Sequence, residues 1–238
     1  MTSAVDIVNL ALSHIGDRAT VASIDPPEGS AQAEHAARHY PMARDTALEE
    51  YAWSFSTTRR AIAQMPSPVP GWQYAYALPA DALTVFEVLY ADDLPSVFYA
   101  PQGAARVGFE MESDELTGLP LVVTNTPGAT IRFARRVTDT SRFTPLFCDA
   151  LSWLLASKLS GPILKGQAGA QAAERCYGAY TRLLGKAASR DLNQNTRRQN
   201  FVPSAIAARG GFTSQTRELD RFTRTETFYA APDGLPKL

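Results

Sequence analysis

The chain has 238 residues, 45% of them hydrophobic and 20% charged, which is enough apolar material for a sizeable core and too much for a disordered chain. Its 23 Lys and Arg against 24 Asp and Glu leave a net charge of −1, so it lacks the basic excess by which a protein holds nucleic acid unaided. No stretch approaches the ~20 uninterrupted apolar residues of a membrane span, and the first residues have neither a charged n-region nor a long apolar run. The expected setting is cytosol-like.

Ser3 followed by Asp6 predicts a capping box, and Val5, Val8, Leu12 and Ile15 then recur at helical spacing up to Gly16, a residue suited to a left-handed stop. The turn-rich run Asp25-Pro26-Pro27-Glu28-Gly29 separates this helix from a second, capped by Ser30. Ala33, Ala36, Ala37, Tyr40, Ala47, Leu48 and Tyr51 lie on or near one face of it. Pro41 removes the amide bond to Ala37, which predicts a kink or break.

After Met65 the period changes. Pro66, Pro68, Pro70 and Gly71 form a linker, and bulky residues alternate through Trp72–Leu78. Short strand-like runs follow at Leu83–Tyr90, Val97–Ala100, Arg106–Glu112, Leu119–Thr124 and Thr130–Val137, each bounded by turn-forming residues.

Helices return at Thr144-Pro145, an N-cap followed by proline at the first helical position. From Leu146 to Leu159 this helix is apolar nearly all round, so it is expected to be the central one of a bundle, with Gly161-Pro162 as its end. Trp53, Phe55, Leu151, Trp153 and Leu154 are expected in the bundle core. A last helix is predicted from about Gln167 to Ser189, and its Gly169, Gly178 and Gly185 point to close approach of a neighbour. Cys148 and Cys176 sit within apolar helical patterns without metal-ligand spacing and read as small buried hydrophobes kept reduced.

The fold class is therefore α+β: mainly an α-helical bundle with an inserted small antiparallel β domain and an extended C-terminal arm. Residues 1–65 supply the first helices, 66–140 the β domain, 141–190 the closing helices and 191–238 the arm. The arm is rich in Asn, Gln, Thr and Arg yet keeps spaced aromatics, which ordinary disorder lacks. Phe201, Phe212, Phe222, Phe228 and Tyr229 are the expected anchors to another subunit, with Arg197, Arg198 and Arg209 as polar contacts.

Reactive chemistry is hard to find. His35 and His39 lie four apart, but Glu34 precedes them instead of following the first, so the zinc-protease pattern fails and they read as solvated surface histidines. His14 reads as a partner of its helix's C-terminal dipole. Gly161–Gly166 lacks the Gly-Lys-Ser/Thr ending of a phosphate loop and reads as an inter-helix turn. There is no Gly-x-Ser-x-Gly elbow, and no carboxylates stand out as an acid and base pair. Glu49-Glu50 reads as a solvated helix end. The pairs Arg59-Arg60, Arg135-Arg136 and Arg197-Arg198 read as solvated faces and intersubunit salt bridges. No catalytic residue, metal ligand or cofactor is assigned.

Four segments in order resemble the head-to-tail adaptor (connector) family of tailed phages, including its tail tubular protein A group. Ile7–Gly16 is similar to the family's opening N-x-A-L-x-x-I-G helix, and Tyr40–Leu48 leads into Trp53-Ser54-Phe55-Ser56, close to its W-N-F-A. Ser54 stands where Asn is usual and Ser56 where Ala is usual. Tyr74–Asp81 resembles the Y-x-Y-x-L-P-x-D that opens the β region, and Phe143–Phe147 with Ala150–Ala156 the helix that closes the bundle. The resemblance covers about residues 5–190. It implies a structural virion protein at the neck, made in the host cytoplasm, without catalysis, cofactor or membrane. The copies would form a ring, a dodecamer, between the portal protein and the tail or nozzle protein, with packaged duplex DNA passing through the lumen. The residues by themselves leave two other classes open: a regulatory binding module without catalysis, and a hydrolase using Asp and His groups.

Overall fold

The structure, a computed structural model, describes residues 2–66, 70–89, 107–115 and 117–194. Two helices come first, α1 (Ala4–His14) and α2 (Ala31–Glu49). The strands β1 (Thr57–Ala61), β2 (Tyr74–Ala77), β3 (Ala82–Leu89), β4 (Phe109–Ser113), β5 (Pro120–Thr124) and β6 (Thr130–Arg135) follow. A short 3₁₀ turn leads to α3 (Pro145–Leu164) and α4 (Gly166–Gln194). The fold is mixed α+β, as expected.

The helix starts are set by the expected caps. Ser3 accepts from the Asp6 amide while Asp6 accepts from Ser3, closing the capping box of α1. Ser30 and Thr144 accept from Ala33 and Phe147 to start α2 and α3. Gly16 follows the end of α1 with φ +82°, the left-handed conformation that glycine adopts without strain.

The prolines behave differently from expectation. α2 runs through Pro41 without a break, because Tyr40 and Ala43 on either side are both buried in the bundle and hold the helix on course. α3 likewise continues past Gly161-Pro162 to Leu164, where Ile163 still packs on the core. The expected turn at Gly161–Gly166 therefore shrinks to Lys165, which takes φ +55°, and α4 starts directly after it. α4 extends to Gln194, so Asp191–Gln194, assigned to the arm, form its last turn.

α3 touches α1, α2 and α4, the central position that its apolar circumference predicts. Trp53, Leu151 and Leu154 are buried as expected, but Phe55 and Trp153 are only partly buried. Trp53 donates its indole N–H to the Ala47 carbonyl (2.8 Å) and meets Phe55 and Phe147 at ring-centroid distances of 5.9 and 5.1 Å. Close packing of α3 on α4 rests on Gly169: a Cβ there would lie 2.9 Å from the Ser160 carbonyl oxygen. Gly178 and Gly185 face no such approach.

The strands form two antiparallel three-stranded sheets, ordered β1-β6-β3 and β2-β5-β4. β1 precedes the proline linker, inside the segment assigned to helices. Beyond β1 the chain continues onto the second sheet, where Ala77 donates to Ala63 and Met65 to Ala75. One extended segment is thus shared by both sheets, and Ile131 and Phe133 of one cluster with Tyr76 and Val122 of the other. Asp45 of α2 joins helices to strands by accepting from Arg44 (2.8 Å) and from Arg136 just beyond β6 (2.9 Å).

Candidate functional site

The expected anchors Phe201, Phe212, Phe222, Phe228 and Tyr229, with Arg197, Arg198 and Arg209, lie outside the described residues. Two side-chain clusters within the described residues hold chemistry-bearing groups, one at the end of α1 and one on α2.

At the first, His14 Nε2 lies 3.0 Å from Ser152 Oγ, and the imidazole stacks on Trp153 at 3.7 Å between centroids and 9° between planes. The arrangement resembles half of a hydrolytic triad, with Asp149 one turn away on α3. Its details favour packing. Ser152 is 0% exposed, so no substrate reaches its oxygen, and its proton goes to the Asp149 carbonyl at 2.7 Å. Ser152 therefore accepts from the Nε2–H of His14. Burial pulls the His14 pKa below its ordinary value, against a smaller opposite pull from Asp149. His14 lies in the last turn of α1, as expected, and it also seats α1 on α3 by a hydrogen bond and a ring stack.

The second cluster sits where α2 meets α3. His35 and His39 are half-buried, not solvated, and Nδ1 of His35 is buried with no hydrogen-bond partner among the described residues. Burial holds the His39 pKa down, and His35, Lys158 and Arg38 add to the effect because all are cationic when charged. Met42 continues the stripe and is 58% exposed, with the Lys158 ammonium 4.0 Å from its sulfur. Neither Arg38 nor Lys158 has an ion-pair partner among the described residues. Arg38 and Lys158 thus stand as two cations beside the imidazoles, with Glu34 one turn before Arg38 on the same helix.

The cysteines are free and buried, and burial pushes both thiols up, away from the reactive thiolate. Among the described residues no group of three or more His, Cys, Asp or Glu converges as a metal site, and no helix is long and apolar enough to cross a membrane. Two of the arginines taken for intersubunit partners are used within the chain. Arg60 grips Asp81 with two bonds, at 2.8 and 3.0 Å, and lies over the Phe133 ring. Arg136 is held by Asp45. Arg59 is exposed, and Glu49 and Glu50 form an exposed helix end as expected.

Periodicity offered no sign of the buried carboxylate of Asp191. It is 4% exposed and accepts from the Ser54 amide (3.0 Å) and hydroxyl (2.5 Å), pinning the end of α4 to the turn before β1. Only the departure Trp-Ser-Phe-Ser, which supplies a hydroxyl at Ser54, hinted at such a contact. A scan against models of known protein families finds no match to this sequence, and a search of curated proteins finds none either.

Proposed function

We propose that the chain is a structural virion protein, a head-to-tail adaptor that forms a ring between portal and tail and continues the DNA channel. The observation that supports this reading is that each of the four resembling segments supplies a joint of the framework. Asn9 clamps Val21 by accepting from its amide (2.8 Å) and donating to its carbonyl (3.0 Å). Trp53, Phe55, Phe143 and Phe147 interlock as rings in the bundle. The Tyr76 hydroxyl donates to Thr126 at 2.8 Å, and Asp81 receives Arg60. Residues spent on holding helices and sheets in place suit a building block better than a reaction centre.

In this reading the partners are further copies of the chain, a dodecamer as the resemblance implies, together with the portal protein and the tail or nozzle protein. Duplex DNA passes through the lumen, and a net charge of −1 lets it slide without adhering. The aromatics and arginines beyond Gln194 anchor the ring to its neighbours. The test is electron microscopy of the full chain, alone and mixed with portal from the same virus: rings that stack coaxially on the portal are expected. A chain that neither closes into rings nor binds portal refutes the reading, as does sub-micromolar duplex binding by the isolated chain in a gel shift at physiological salt.

A further inference from the structure

We propose that neighbouring copies join head to tail, the acidic β4–β5 hairpin of one seating on the cationic α2–α3 face of the next. This rests on the ring reading above and names the surfaces that build the ring.

The receiving face carries His35, Arg38, His39 and Met42 at helical spacings of three, four and seven, with Lys158 of α3 beside them. Seven residues of helix span about 10 Å. Among the described residues no carboxylate pairs with Arg38 or Lys158, and the exposed thioether of Met42 gives the patch one apolar point. Unpaired like charges beside two half-buried imidazoles cost an isolated subunit stability, and an approaching carboxylate relieves that cost.

The hairpin has the opposite character. Glu110↔Val123 and Glu112↔Leu121 are cross-strand partners, and Asp114 donates its amide to Leu119 in the same register. Alternation along the strand therefore puts Glu110, Glu112 and Leu119 on one face, with Glu115 at the tip. Leu119 is 54% exposed, and neither glutamate of β4 has an ion-pair partner among the described residues. Glu110 to the level of Leu119 spans four residues of strand, about 13 Å. The two stripes are comparable in length, oppose in charge, and each has one exposed apolar side chain. They belong to different parts of the chain. A contact between two different patches is heterologous, and repeated with a closing rotation it generates a ring.

The test uses two charge-reversed full-length variants, Arg38→Glu with Lys158→Glu, and Glu110→Lys with Glu112→Lys. Each alone sets like charge against like and is expected to self-associate about tenfold more weakly in analytical ultracentrifugation. Mixed one to one, each variant meets complementary charge on the other, and assembly is expected to return. Circular dichroism and melting temperature establish that both variants are folded. Parent rings with variants that assemble as well as the parent, or folded variants whose mixture stays dissociated, overturn this contact and leave the ring reading standing. A parent chain that stays monomeric with and without portal overturns both.

Discussion

Burial sets the protonation of His14 and His39, and the sign of the resulting pH dependence is fixed. Both have folded-state pKa values below the ordinary value, chiefly because the protein interior disfavours the imidazolium. The unfolded chain takes up these protons as pH falls through about 6.5, before the folded protein does. Their contribution to stability is therefore complete above that pH and is lost below it, until the folded-state imidazoles also protonate. Thermal melts of the dissociated subunit from pH 7.5 to 5 are expected to show a falling midpoint, and His39→Gln should flatten the slope. A midpoint that rises on acidification would mean a carboxylate partner for these rings. Tyr40 makes a second residue-scale case. Burial raises its hydroxyl to about 12, yet the oxygen has no hydrogen-bond partner among the described residues. A buried hydroxyl without a partner contributes nothing, so Tyr40→Phe should leave stability unchanged or raise it by up to about 1 kcal/mol. A urea midpoint lowered by more than that would reveal a bond to the hydroxyl.

At the scale of elements, three glycines of one helix separate two physical roles. Gly169 is there because the α3 backbone leaves no room for a side chain, whereas Gly185 meets open space. Gly169→Ala should cost about 1–3 kcal/mol through the clash, and Gly185→Ala should gain about 0.5–1 kcal/mol of helix propensity. Denaturant titration of the two variants checks both signs. The sequence pointed to close approach at all three glycines, because composition cannot tell which side of a helix is crowded. Helix starts were legible, since Ser3, Ser30 and Thr144 are local devices acting within three residues. Helix ends were not. Pro41 and Pro162 carry a local penalty that the buried side chains around them outweigh, and only the tertiary structure contains that information. β1 escaped notice because Arg59 and Arg60 interrupt its alternation, and its strand character comes from pairing with β6, 69 to 77 residues away. Trp153 was expected in the core because α3 is apolar on every face, and the exposed side of such a helix can be identified only once its neighbours are in place. Of the candidate surfaces, the His35–His39 pair was noticed from its spacing, but its convergence with Lys158 required α3 to be packed beside α2.

For the whole molecule, the last turn of α4 decides where the folded part can be cut. Asp191 is held by two hydrogen bonds from Ser54, which is why the helix continues past the point at which its sequence pattern fades. A chain ending at Gln194 keeps that lock and should melt as the full chain does. A chain ending at Arg190 leaves the Ser54 amide and hydroxyl without their carboxylate and should lose about 1.5–3 kcal/mol, the usual worth of hydrogen bonds to a charged group. The pair of truncations separates folding from attachment. If the residues beyond Gln194 anchor the adaptor through Phe201, Phe212, Phe222, Phe228 and Tyr229, the chain ending at Gln194 folds and still presents both the α2–α3 face and the β4–β5 hairpin. It should then form rings that no longer hold the portal, since tethered aromatic anchors supply the avidity that a flat ring-to-ring contact lacks. Portal pull-down and electron microscopy of particles assembled with this variant measure that loss directly. Particles that keep their tails and their DNA at parental levels would remove the arm from the mechanism and leave portal binding to the ring itself.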